Sequence, residues 1–585
     1  MCSSDLADLA LTGPQGLTPA LTAVANGFPV AAHMFLPQGE TLLNQLRNFL
    51  ENNPQPIAQQ RRLLNSLLAG FCCLPEPEAV KLLCAAGAFA RFAPDGDGRL
   101  TPVISWAVQA GQKDVVATLL ELGADARQFN KDMNTPLHFA AAAGSVEIAR
   151  MLLDAGAAVN DRNKEWQTPL HNACREHEFE MIEELLSRGA DANTVGKEME
   201  TPLHLLVWRS PCHEHEGVRR FTKALECLLE HGEDINAQDI EGNTPLNLVA
   251  GWVQFPQDED AITVAAKLML ENGASVAAAN KDGLTPCHTA SMMNCPLIAR
   301  MLITRGADIN ARDNEGRTPL CWVFKFVMVL AHFADTVDTL IGAGGDIESR
   351  DNDGLTILDR AARETYHFIV PYLISKGASP TSVGPDGKTA LHHASLGGQD
   401  QAAEALLNAG ADIALRDGQL MTPVLYALAA GSKEVLAILD PDATRRYSDL
   451  EYLIANNGNL DAKAMAGRQM IHGAARLGDV KAIEILLQAG VGVYEMPDYG
   501  RPALFHACET NATVAVEALI KAGADVNLEC SGVTPLHSAV SAWSLESIQI
   551  LIKAGADKTA KDNNRKTAFD LAKDLPPDIR ELLKP

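Results

Sequence analysis

The chain has 585 residues, is 47% hydrophobic and only 5% aromatic, and carries a formal net charge of −25. That much apolar content excludes a wholly disordered chain, and the acidity repels phosphate backbones, so nucleic acid is an unfit partner and a basic protein a fitting one. The 12 cysteines follow no spacing rule and form no C-x-x-C pair, as expected of reduced, buried thiols in the cytoplasm.

The N-terminus, MCSSDLADLALTGPQG, has acids where a secretory signal needs positive charge. Thr18-Pro19 starts the first predicted helix, with Gly27 at its turn and Gly39 closing a first unit. Residues 40–56 read as extra helical sequence, and LLCAAGA (82–88) closes a second, degenerate unit. PDGDG (94–98) has part of a calcium-loop pattern but lacks the remaining ligands, so it reads as a turn before Thr101.

From there one phrase recurs. NTPLHFAAAAG (134–144) returns as QTPLHNAC (167–174), ETPLHLL (200–206), GNTPLNLVAG (242–251), GLTPCHTA (283–290), GKTALHHA (387–394) and GVTPLHSAV (532–540). A second phrase follows, as in MLLDAGAAVN (151–160) and ALIKAGADVN (518–527). The threonine slot falls at 101, 135, 168, 201, 244, 285, 318, 356, 389, 422, 469, 502, 534 and 567, with Gln469 and Pro502 as substitutes. Thr-Pro is a helix start, because Thr caps and Pro tolerates the first turn. Gly after the second helix can take the left-handed conformation that ends it, and the Asp and Asn that follow suit a turn. One such helix pair cannot bury both its faces, so the units must stack.

The interval from closing glycine to next threonine stays nearly constant, as from Gly156 to Thr168 and from Gly306 to Thr318. The units starting at Thr201, Thr244, Thr318 and Thr422 are longer than that from Thr135 to Gly156, so the added residues lie within helix pairs. One of these, TPLCWVFKFVMVLAHFADTVDTLIGAGG (318–345), is apolar from Cys321 to Ala334 except for Lys325 and His332. It falls short of the ~18 uncharged residues of a membrane span, which leaves it as enlarged core, with no membrane insertion expected.

These phrases resemble the ankyrin repeat family, over most of the chain and many times. The resemblance implies an all-α solenoid of about sixteen helix-turn-helix units joined by hairpin loops. Degenerate N-terminal repeats are expected at 1–96 and the main array at 97–439, with lengthened units at 201–273 and 318–344. An inserted helix or hinge at 440–463 would divide the array into two arms. C-terminal repeats follow at 464–562, and a capping repeat at 563–585. The resemblance also implies that His138, His171, His204, His288, His392, His472 and His537 bond between neighbouring loops rather than serving metal or acid–base chemistry.

In this family the concave surface is lined by hairpin tips and by the exposed end of the first helix, the seventh and eighth residues after the threonine slot. Those positions hold Arg175 and Glu176, Trp208 and Arg209, Gly251 and Trp252, Met292 and Met293, Lys325 and Phe326, and Arg363 and Glu364, where the Thr135 unit has Ala142 and Ala143. Trp and Arg anchor interfaces, and Met adapts to irregular partners. Partner binding is therefore expected at Arg175, Glu176, Trp208, Arg209, Trp252, Met292, Met293, Lys325, Phe326 and Arg363.

No phosphate loop, H-E-x-x-H, G-x-S-x-G or kinase signature is present. Cys212, His213, Glu214, His215 and Glu216, in the insertion after Thr201, could hold a metal, although a polar loop fits them as well. The expectation is a non-enzymatic, cofactor-free, cytoplasmic and monomeric protein: an adaptor, scaffold or inhibitor binding a protein partner through the concave face. The alternatives are a secreted effector that engages another cell's proteins, and an enzyme with a metal-dependent site at Cys212, His213 and His215.

Overall fold

The computed structural model describes residues 17–26, 32, 41–52, 58–88, 92–94, 100–208, 215–251, 259–325, 330–363, 369–457, 465–494 and 500–585. They form paired antiparallel helices. First helices stack on first helices, as Pro136–Ala142, Pro169–Arg175 and Pro202–Val207 do. Second helices stack in a parallel layer, as Val146–Asp154, Phe179–Ser187 and His215–Glu230 do. The first helices start where Thr caps them and Pro enters at the first turn, and their small residues let neighbours approach. Leu137, Ala140, Ala141, Leu170 and Ala173 are fully buried. Removing such a leucine would cost about 2–5 kcal/mol.

The chain divides into two compact units. One comprises Met1–Asn314 and Lys325–Ala343, the other Glu315–Phe324 and Gly344–Pro585. In the first unit, Leu42–Asn52 lies within the stretch that reads as extra helical sequence. It packs against both Pro19–Ala25 and Pro77–Ala85, as a second helix does. A two-stranded antiparallel ribbon, Phe92–Pro94 with Leu100–Pro102, flanks residues 95–99, which lie outside the described residues. In the second unit, the helix Arg445–Asn457 packs against the helices Pro423–Ala430 and Val480–Gln488. Its Leu450 and Leu453 are buried in a core running from Met421 to Leu583, while residues 458–463 lie outside the described ones.

In the Thr201, Thr244 and Thr318 units the second helices are lengthened, whereas the Thr422 unit gains the separate helix Arg445–Asn457. His215–Glu230, Glu259–Glu271 and Leu330–Gly342 exceed the ordinary span of Val146–Asp154. Two starts differ from the expected pattern. Pro319–Trp322 is a 3-10 turn rather than an α-helix. Gln469 falls inside a continuous helix, Met465–Leu477, because neither a capping hydroxyl nor a proline stands there to begin one.

The histidine slot links the stack. His138 Nδ1 accepts from the Thr135 backbone N–H at 3.1 Å, which leaves Nε2 protonated to donate to the Gln167 carbonyl, one repeat on, at 3.0 Å. His171 reaches Glu200 O, His204 Asn243 O, His392 Met421 O and His537 Lys566 O in the same way. Asn247 reproduces both halves, accepting from Thr244 N–H and donating from Nδ2 to Leu284 O. Burial holds the His138 and His171 rings down to about 4, so both are neutral at physiological pH.

Candidate functional site

Where the hairpin tips meet the ends of the first helices in the Thr168, Thr201 and Thr244 repeats, there is a hollow of about 340 Å³. Leu205, Trp208, Ile240 and Leu248 give it an apolar lining. Arg175, Glu198, Glu200, Asp239 and Glu241 give it a charged one. Trp208 caps the C-terminus of Pro202–Val207, so the helix ends as the indole begins, and the side chain stands 65% exposed. A tryptophan that large is ordinarily well buried.

Arg175 is held in place by a relay that crosses to the next repeat. Its Nη2 donates to Gln167 Oε1 at 2.6 Å, and Gln167 Nε2 donates to Glu200 Oε1 at 2.6 Å. Glu200 Oε2 in turn accepts from the Glu198 backbone N–H at 2.8 Å. Asp239 is spent within its own hairpin, accepting from the backbone N–H groups of Glu241 and Asn243 at 2.9 and 2.8 Å. His204 also lines the hollow, but Nδ1 is bonded to Thr201 and Nε2 to Asn243 O, so its ring has no spare nitrogen for acid–base work.

A backbone ladder joins the tips. Lys164 N–H donates to Asp132 O, Lys197 N–H to Glu165 O, Ile240 N–H to Glu198 O and Lys281 N–H to Glu241 O, at 2.7–2.9 Å. At the first two rungs the lysine side chain also faces the acid of the preceding tip, with Lys164–Asp132 at 3.6 Å and Lys197–Glu165 at 3.8 Å. At the third rung the residue is Ile240, 44% exposed, and Glu198 makes no side-chain ion pair among the described residues.

Five tips, at Met133, Trp166, Met199, Leu420 and Arg565, also hold a large side chain at a left-handed position, the first three of them in consecutive repeats. Met133, Trp166 and Met199 have φ of 59°, 62° and 61°, where the corresponding residues at 242, 283, 316, 354 and 387 are glycine. All three are exposed.

Among the expected partner-binding residues, Arg175 and Trp208 line the hollow. Glu176 is exposed beside Arg175 as the cap of the same helix. Met292 and Met293 are half-buried, whereas Lys325 and Arg363 are exposed. Arg209, Trp252, Phe326 and Glu364 lie outside the described residues, as do Cys212, His213, Glu214 and the side chains of His215 and Glu216. The sequence reading passed over Ile240 and Glu198. The signal was there: four residues before the threonine slot stand Lys131, Lys164, Lys197 and Lys281, and only Ile240 interrupts that run.

Comparison with known proteins agrees with this architecture. A profile described as "Ankyrin repeats (3 copies)" matches residues 68–163, 215–313, 325–417 and 471–562, and one described as "Ankyrin repeats (many copies)" matches 152–206. The chain belongs to the ankyrin repeat family. Similar relatives include the ankyrin repeat and SOCS box protein 11 of Danio rerio, 37% identical over 115 residues, or 20% of this chain and 38% of that protein. SH3 and multiple ankyrin repeat domains protein 2 of Homo sapiens is 28% identical over 223 residues, 38% of this chain and 11% of that one. E3 ubiquitin-protein ligase KEG of Arabidopsis thaliana is 23% identical over 362 residues, 60% of this chain and 19% of that one. The chain thus spans well under half the length of each. Ankyrin repeats are in general protein–protein interaction modules, and no helix among the described residues is long and apolar enough to cross a membrane.

Proposed function

We propose that this ankyrin array is a non-enzymatic adaptor, scaffold or inhibitor that takes a protein partner on the face carrying its hairpin tips and first-helix ends. The hollow at Arg175 and Trp208 is the centre of that contact. The observation that carries the reading is Trp208, an indole 65% exposed in a hollow beside a tethered arginine. Trp and Arg supply a disproportionate share of interface energy, and a side chain held by its surroundings loses little freedom on binding. A cytoplasmic, reducing setting suits the ten free cysteines among the described residues. Burial pushes thiols such as Cys174 up, which keeps them protonated and unreactive.

The test is affinity capture from a native lysate with the wild-type chain and with Trp208→Ala, each at moderate salt. A partner retained by the first and lost by the second, with melting behaviour unchanged, supports the reading. A partner retained equally by both places the contact elsewhere on the array.

A further inference from the structure

Resting on that reading, we infer that the occupant of the hollow is a basic segment of the protein partner, and that a lysine of this segment takes the rung of the tip ladder where Ile240 stands in place of a lysine. The argument starts from register. The backbone ladder is unbroken at Ile240, whose N–H meets Glu198 O at 2.7 Å, so the tip has not moved and only the side chain has changed. Lysine at this slot faces the acid of the preceding tip at Asp132 and at Glu165. At Glu198 no cation among the described residues takes that place, and Glu198 borders the hollow.

What surrounds that rung matches a lysine and not an anion. Glu198 and Glu241 line the hollow and neither makes an ion pair among the described residues, Glu241 despite Lys281 on its own rung, and among the described residues the only cation in the lining is Arg175, already hydrogen-bonded to Gln167. The exposed indole of Trp208 offers a face to an ammonium group. Leu205, Leu248 and Ile240 offer apolar surface for the stem that carries it. Ile240 therefore has two effects: it withholds the internal cation, and it supplies apolar lining for an external one.

Ile240→Lys restores to this tip the residue that its neighbours carry, so it fills the rung from within while preserving the fold. Leu122→Lys adds the same charge at an exposed residue of the same compact unit, away from the hollow. The probe is a short end-blocked peptide alternating glycine with lysine, set against its glycine–glutamate counterpart, with binding to the full chain measured at physiological ionic strength. The lysine peptide is expected to bind wild type and Leu122→Lys alike, to bind Ile240→Lys at least tenfold more weakly, and to bind Trp208→Ala more weakly as well. The glutamate peptide should bind none of them. Equal affinity for Ile240→Lys and wild type overturns the inference, and so does a lysine peptide that fails to bind wild type. Capture of the native partner separates the two readings. A partner lost by Trp208→Ala but kept by Ile240→Lys leaves the hollow as the contact and removes the basic occupant. A partner kept by both variants removes the hollow itself.

Discussion

His138 donates through Nε2 to the main-chain oxygen of Gln167, 3.0 Å away and one repeat further along, while its Nδ1 secures the cap of its own helix. One side chain thus closes a helix start and joins two units. His138→Ala should cost roughly 2–3 kcal/mol, because it strands a buried N–H and a buried carbonyl. His138→Asn should cost about half as much, since Asn247 shows that an amide can serve both ends. Urea unfolding of the two variants separates these outcomes, and equal losses would mean that ring packing outweighs the hydrogen bonds.

The same rings set a response to acid. His138 and His171 are held down to about 4 by burial, against an ordinary histidine value of 6.5. As pH falls below 6.5 the unfolded chain takes up protons that the folded rings refuse, so stability declines across the window from about 6.5 to about 4. Burial lowers His204 and His392 too, which adds to the slope. The melting temperature should therefore fall steadily from pH 7 to pH 5, with a shallower fall in a His138→Asn, His171→Asn double variant.

Glu233 acts in the opposite sense. It stands where neighbouring units have Ala157, Ala190 and Ala274, and it is 7% exposed. Its Oε1 accepts from Leu203 N–H at 3.1 Å, while Oε2 has no hydrogen-bond partner. Burial raises its carboxyl to about 8, so the folded chain holds a proton that the unfolded chain releases above about 4.5. Stability from this group is complete below that value and is lost as pH rises through 8. Glu233→Gln should keep the contact and remove this group's decline, as thermal melts of the two chains between pH 5 and pH 8 would show.

The tips at Met133, Trp166 and Met199 carry backbone strain that glycine would relieve. Trp166→Gly should stabilise the chain by about 0.5–1 kcal/mol, the lower part of the left-handed penalty after allowing for glycine's greater freedom when unfolded. A loss of stability instead would show that the exposed indole packs on its neighbours strongly enough to outweigh its φ of 62°.

The sequence showed the fold where each unit repeats its own instructions. Thr168, Pro169 and His171 spell out a start, a direction and a link, and the structure places all three as read. Arg175 and Trp208 were reachable by counting from the threonine, because the first helix ends within one residue of the same place even in the enlarged unit at Thr201. Ile240 was harder to see, for its meaning lies in a side chain that is missing relative to Lys164 and Lys197, and only the cross-tip distances show what those lysines do. Gln469 misled because its surroundings match the repeat while the residue itself neither caps nor kinks, so the helix simply continues from Met465.

In the five histidine links from His138, His171, His204, His392 and His537 the receiving group is a main-chain oxygen, and the residues that own it are as unlike as Gln167, Glu200, Asn243, Met421 and Lys566. A receiver of this kind comes with any residue. A unit that is duplicated, deleted or exchanged by recombination therefore finds its link waiting, whichever neighbour it lands beside. Such an array can change its length and order while each junction stays intact, and substitutions at its tips, such as Ile240, can accumulate independently of the scaffold beneath them.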